Sequence, residues 1–66
     1  MLRVVLERQK LGWSQARLAR EANVNATSMS RIESGKEDAY PNRGARIAAA
    51  LGWEGNPSEL FEEVKE

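Results

Sequence analysis

The sequence predicts an all-α fold, a compact domain of five helices. Apolar residues recur three and four positions apart along most of the chain, which is the spacing of one helix face. No segment alternates polar and apolar residues as a half-buried strand would. Ser, Asn and Gly, which favour helix ends, stand at the boundaries of the helical segments. We expect residues 1–66 to form a single domain, near the lower size at which one core suffices.

The composition excludes several classes of function. There is no Cys and no His, so disulfides, thiolate zinc sites and imidazole catalysis are excluded. Carboxylates do not cluster as a catalytic site would require, so we expect no enzyme, no cofactor and no metal. No apolar run approaches the length of about 20 residues that spans a membrane, and no signal peptide is evident. These features predict a soluble cytoplasmic protein.

The net charge of zero conceals an asymmetry between the two halves of the chain. Residues 1–36 contain seven basic and three acidic side chains, a net charge of +4. Residues 37–66 contain three basic and seven acidic side chains, a net charge of −4. A basic half on a neutral chain is suited to a polyanion on one side, although scattered solvated charge gives the same count.

The first helix is predicted over residues 2–11, and Gly12 ends it. Two inward faces fit its periodicity equally well. One consists of Val4, Arg8 and Leu11; the other consists of Leu2, Val5, Leu6 and Gln9.

The next two helices are short and are joined by about three residues. Ser14 is positioned to cap a helix over 15–22, and Asn25 to cap a helix over 26–34 that ends at Gly35. Asn23 lies at the sharp turn, where the left-handed conformation is needed. The predicted inward residues of this pair are Leu18, Ala19, Ala22, Val24, Met29 and Ile32. This arrangement is a helix-turn-helix motif.

Two further helices are predicted after the loop that follows Gly35. Asn42 is expected to cap a helix over 43–51, and Asn56 to cap a final helix in which Pro57 takes the first turn. Their inward residues are Ile47, Ala48, Leu51, Leu60, Phe61 and Val64.

The second helix of the motif has a polar stripe opposite its apolar edge. Thr27, Ser30, Arg31 and Ser34 follow one another at helical spacing with almost no apolar group among them. An ordinary solvated helix face would have the same pattern, so the stripe alone does not establish a binding surface.

With the motif placed, the chain resembles the Cro/repressor (XRE-type) helix-turn-helix family, the DNA-binding domain of lambdoid phage repressors. The resemblance extends over nearly the whole chain and implies a lambda-repressor-like fold. The matching residues are Arg8, LGWSQARLA (11–19), Val24, SMSRIESGK (28–36), RIAAALGW (46–53) and SELF (58–61).

The resemblance implies that the helix over 26–34 enters the major groove of DNA. The residues that it places toward the bases are Ala26, Thr27, Ser30 and Arg31. The residues that it places along the DNA backbone are Gln15, Asn25, Ser34, Lys36 and Arg43. The guanidinium of Arg31 matches the two acceptors that guanine presents in the major groove. The sequence departs from the family pattern at Glu37 and Asp38, acids that would repel phosphate if they faced it.

The resemblance also implies structural roles. Arg8 and Glu33 are expected to form a partly buried ion pair between the first and third helices, and Trp13 to lie in the core. Trp53 stands between two glycines and belongs either to the core or to a self-association patch.

These observations predict a sequence-specific DNA-binding regulator, most consistent with a small repressor of the phage or mobile-element type. We expect it to bind a two-fold operator as a weak homodimer that is completed on DNA, with no membrane and no small-molecule ligand. Two alternatives are an antitoxin that represses its own promoter and a protein-interaction module that has lost DNA binding.

Overall fold

The computed structural model describes residues 1–39 and 41–65. Within these residues the chain forms four α-helices and one short 3₁₀ helix, and the all-α prediction is confirmed. In the described part of the chain, the only pairing of extended residues is an isolated antiparallel bridge between Leu2 and Glu63. The elements are α1 (Arg3–Lys10), α2 (Gln15–Glu21), α3 (Ala26–Glu33), α4 (Asn42–Leu51) and the 3₁₀ helix (Pro57–Phe61).

Three of the predicted side-chain caps are present. The Ser14 hydroxyl accepts a hydrogen bond from the Arg17 amide at 3.0 Å at the start of α2. Asn25 Oδ1 accepts from the Thr27 amide at 2.8 Å at the start of α3, and Asn56 Oδ1 accepts from the Ser58 amide at 3.0 Å. Each side chain satisfies a helix N-terminal amide that has no partner within the helix.

The predicted cap at Asn42 is wrong, because Asn42 is the first residue of α4 and not the residue before it. Pro41 takes the N-cap position with a helix-like backbone (φ −91°, ψ −28°), and no side chain among the described residues caps the helix. The Pro41 carbonyl accepts the Ala45 amide at 3.1 Å, which is the first bond of the helical ladder. Because the Pro41 backbone is already helical and its carbonyl accepts this bond, α4 starts one residue earlier than the asparagine signal indicated.

The last element is also corrected: it is a single stretch of 3₁₀ helix and not a regular α-helix. It begins as predicted at Asn56, with Pro57 in its first turn. It ends because Glu62 returns to an extended backbone (φ −89°, ψ 147°), and the Glu62 carbonyl accepts the Arg3 amide at 3.0 Å. Pairing with the N-terminal segment thus replaces further helical hydrogen bonds.

The four α-helices end in the same way. A residue with a left-handed backbone follows each of them, at Gly12, Asn23, Gly35 and Gly52. At the second of these positions, the Val24 amide donates back to the Ala19 carbonyl at 2.8 Å, which closes α2. Asn23, with φ 56°, is the one non-glycine residue with positive φ in the described part of the chain, as the turn position predicted.

The core takes apolar side chains from every element, and those predicted for α2, α3 and α4 are mostly confirmed. The fully buried ones are Val4, Leu18, Met29, Ile32, Ile47 and Leu60. Leu51, Phe61 and Val64, also predicted to face inward, are half-buried.

Neither predicted face of the first helix is correct by itself. Val4 is fully buried and Arg8 points inward, but Leu11 is 47% exposed. Leu2 and Val5, from the alternative face, also pack against the core. Leu11 is exposed because α1 ends at Lys10, and Leu11 is the capping residue at which the chain turns away.

Both tryptophans are half-buried and pack against the core. The Arg17 guanidinium lies over the Trp13 ring, 4.7 Å from its centroid. The Trp53 indole N–H donates to the Asn56 carbonyl at 3.1 Å, within the loop between α4 and the 3₁₀ helix. No helix within residues 1–39 and 41–65 is long and apolar enough to cross a membrane.

Candidate nucleic-acid interface

The polar stripe of α3 faces solvent. Its four residues are all exposed: Thr27, Ser30, Arg31 and, at the helix end, Ser34. Ala26, at the start of α3, is exposed as well. On the opposite face, Met29 and Ile32 are at most 1% exposed. The stripe is therefore displayed by a helix whose position is fixed by the core.

The helix-turn-helix geometry is formed by α2, the turn and α3. The small side chains Ala19 and Ala22 are buried and allow α3 to cross close to the α2 backbone. Arg46 of α4 donates from Nε to the Ala22 carbonyl at 3.1 Å, so a third helix holds the turn in place. These contacts fix the angle at which the N-terminus of α3 projects.

The predicted ion pair between Arg8 and Glu33 is confirmed. Arg8 Nε donates to Glu33 Oε2 at 2.9 Å, and Arg8 Nη2 donates to Oε1 at 3.1 Å. Arg8 Nη1 also donates to the Trp13 carbonyl at 2.8 Å. The two side chains are only 13% and 5% exposed, so the bidentate pair joins α1 to α3 largely out of water.

Gln15, predicted to contact the DNA backbone, is a third member of this network. Its Nε2 donates to Glu33 Oε1 at 3.0 Å, which links the start of α2 to the same carboxylate. An amide nitrogen has two hydrogens, so Gln15 retains a second donor. Its phosphate contact remains a prediction and would use that donor.

Two other predicted backbone contacts lie at the ends of α3. Asn25 uses Oδ1 for the helix cap, so a phosphate contact would come from its Nδ2 donor. The Ser34 hydroxyl donates to the Ser30 carbonyl at 3.0 Å and lies 3.2 Å from the Arg31 carbonyl oxygen. It would have to rotate to donate to a phosphate. Lys36 is exposed as well.

Glu37, an acid that would repel phosphate if it faced it, has specific partners in the structure. Its carboxylate forms ion pairs with Arg31 of α3, where Nε lies 3.4 Å from Oε1, and with Nη1 of Arg43 of α4. Hydrogen bonding from Arg43 holds the pKa of Glu37 below its usual value. Ser28 and Arg31 lower this pKa further, against the opposing effect of desolvation.

Arg43, predicted to contact the DNA backbone, is directed toward the protein. Besides its pair with Glu37, it donates from Nη2 to the Asp38 carbonyl at 2.6 Å. A phosphate contact from Arg43 remains a prediction, and the guanidinium would have to exchange these partners to make it.

Sequence reasoning missed the Glu37 cluster because its members come from three segments. The sequence signal that could have predicted the cluster is Gly35, whose left-handed backbone (φ 78°) follows α3 and turns the chain back toward that helix. This reversal brings Glu37 close to the side chain of Arg31.

Residues 4–61 match the family model described as "Helix-turn-helix domain". No curated protein matches the chain, and no solved structure matches it. This domain indicates DNA binding and transcriptional regulation, and its members are typically not enzymes. With 58 of its 66 residues matched, α1 through the 3₁₀ helix, the chain belongs to this XRE/Cro-like helix-turn-helix family.

Proposed function

We propose that this protein is a sequence-specific repressor of transcription that binds a two-fold operator with α3 in the major groove. The observation that carries the proposal is the exposed polar face of α3 on a helix fixed from behind. Met29 and Ile32 anchor that helix in the core, and Glu33 ties it to α1. A recognition helix needs this rigidity, because base contacts depend on its position in the groove. We place its action in the cytoplasm.

Ala26, Thr27, Ser30 and Arg31 are the proposed base-facing residues. Arg31 offers a planar donor pair that matches guanine O6 and N7. The Thr27 methyl can contact thymine, and Ala26 can make only apolar contact. Because each subunit offers few strong base contacts, one half-site would specify little sequence. Two half-sites are therefore favoured, and with them a dimer.

The experiment is a selection of bound sequences from a random DNA pool, followed by binding measurements on the selected site. Arg31→Ala is expected to weaken binding to the best site by about 1–3 kcal/mol and to relax the preference at one base pair. Lys36→Ala is the matched control, because it removes the same charge from a residue proposed to contact phosphate. Lys36→Ala should weaken binding to all sequences equally. It should also reduce by about one the slope of the logarithm of the binding constant against the logarithm of the salt concentration.

The same selection distinguishes the candidate functions. Uniform weakening by Arg31→Ala would make Arg31 a phosphate contact. If no sequence is enriched at low salt, the repressor proposal is wrong, and a protein-interaction module on the same fold is then favoured. The acidic Glu37 beside the reading helix is the observation that would support that second function.

We further propose that the operator complex contains two copies of the chain. The acidic C-terminal half leaves the basic half for DNA, and each copy alone has few basic residues with which to attract phosphates. Leu60 is fully buried, so it is not available for a subunit contact. Phe61 and Val64, both half-buried at the C-terminal end, are the proposed contact residues.

We expect sedimentation to give a monomer at low protein concentration and two subunits on a palindromic operator. Phe61→Asp and Val64→Asp should each reduce this stoichiometry or the affinity, and thermal melts of both variants control for loss of fold. One subunit bound tightly to a single half-site would contradict the dimer proposal.

A further inference from the structure

We propose that Glu37 is a positioning residue that determines specificity, because it orients the Arg31 guanidinium for contact with a base pair. This inference rests on the proposed function, since it assigns a role to a residue beside the reading helix. On this proposal, Glu37 contributes to the choice between base pairs at the position that Arg31 contacts.

The backbone places Glu37 beside Arg31. After α3, the amides of Lys36 and Glu37 both donate to the Arg31 carbonyl, at 2.8 Å and 3.3 Å. Gly35, with φ 78°, allows this reversal. The loop therefore returns to the last turn of α3 and presents the Glu37 side chain to that of Arg31.

The two carboxylate oxygens of Glu37 have different arginine partners. Glu37 Oε1 lies 3.4 Å from Arg31 Nε, and Oε2 pairs with Arg43 Nη1. Arg43 is in turn held by the Asp38 carbonyl, which accepts from Nη2 at 2.6 Å. α4 thus supports the carboxylate from one side while Arg31 occupies the other.

Most of the Arg31 side chain stays exposed beside this contact. Glu37 lies against Nε, whereas the two Nη groups form the other edge of the planar fork, and 60% of the side chain remains exposed. Two parallel donors are what guanine O6 and N7 require. A guanidinium held in place loses less conformational freedom when it binds a base than one that moves freely.

The Glu37 carboxylate should also lower the overall affinity of the protein for DNA. Its negative charge near the groove repels phosphates whatever the sequence. Glu37 should therefore reduce the affinity for random DNA while it increases the ratio of the affinity for the operator to the affinity for other sequences. This combination distinguishes a positioning residue from one that simply weakens or strengthens DNA binding.

The test is Glu37→Gln, with binding measured on the selected operator, on the operator changed at the Arg31 base pair, and on random DNA. We expect random DNA to bind about threefold more tightly, because one negative charge is removed. The preference at the Arg31 base pair should fall from about tenfold or more to about threefold or less. Arg43→Met, which removes the support of the carboxylate, should lower the same preference.

Asp38→Asn is the matched control, because it removes the same charge one residue further along and leaves the Glu37 carboxylate in place. It should strengthen binding to random DNA without changing the preference at that base pair. Thermal melts of the variants should remain close to that of the wild type. A second readout needs no DNA: the Arg31 Nε–H resonance in the NMR spectrum should shift in Glu37→Gln and not in Asp38→Asn.

The outcomes separate this inference from the proposed function. If the wild type selects a site and Glu37→Gln keeps the full preference, the inference is overturned while the proposed function stands. An unchanged Arg31 Nε–H resonance in Glu37→Gln would overturn it in the same way. If the wild type enriches no sequence, the proposed function fails, and the positioning role fails with it.

Discussion

Glu33→Gln is expected to lower the free energy of unfolding by about 3 kcal/mol, the lower end of the range for breaking a buried ion pair. The carboxylate of Glu33 accepts two hydrogen bonds from Arg8 and one from Gln15. Glutamine keeps the shape but not the charge, so the Arg8 guanidinium would remain largely buried without a counter-ion. A domain of 66 residues has only about 3–10 kcal/mol of total stability, so this variant should melt at a much lower temperature.

The measurement is a double-mutant cycle by thermal or urea unfolding with Arg8→Met, Glu33→Gln and both changes together. The double variant should be more stable than the sum of the single effects predicts, because it leaves no charge unpaired. Strictly additive effects would show that the two residues are not coupled. Glu21→Gln is the matched control: it breaks the exposed Arg17–Glu21 pair (46% and 42% exposed) and should cost at most about 0.5 kcal/mol.

Leu60→Ala is the second change with a large expected effect, a loss of about 3 kcal/mol of stability. Leu60 is fully buried in the 3₁₀ helix, which packs against α1 and α4. Truncation removes apolar contacts and leaves a cavity that the surrounding helices fill only in part.

Urea unfolding measures this loss, and Leu11→Ala provides the matched control. That change removes the same atoms from a side chain that is 47% exposed and should alter stability by no more than about 0.5 kcal/mol. A loss below about 1 kcal/mol for Leu60→Ala would show that the 3₁₀ helix is not a firm part of the core.

Features that depend on residues close together along the chain could be predicted from the sequence. The caps at Ser14 and Asn25 and the turn at Asn23 involve backbone groups only a few positions away. Helical periodicity was similarly sufficient to identify most of the core of α2, α3 and α4. The resemblance to the family added the one long-range contact predicted correctly, between Arg8 and Glu33.

The partner of a polar side chain could not be predicted where the fold brings several possible partners within reach. Gln15 joins the Glu33 network, and Arg43 turns to Glu37, although each residue alone is equally suited to a phosphate. The same holds for the final segment, where pairing of the Glu62 carbonyl with the Arg3 amide ends the helix early. These outcomes depend on how loops return through space. Hydrogen-bond and charge energies vary steeply with distances that sequence separation does not specify.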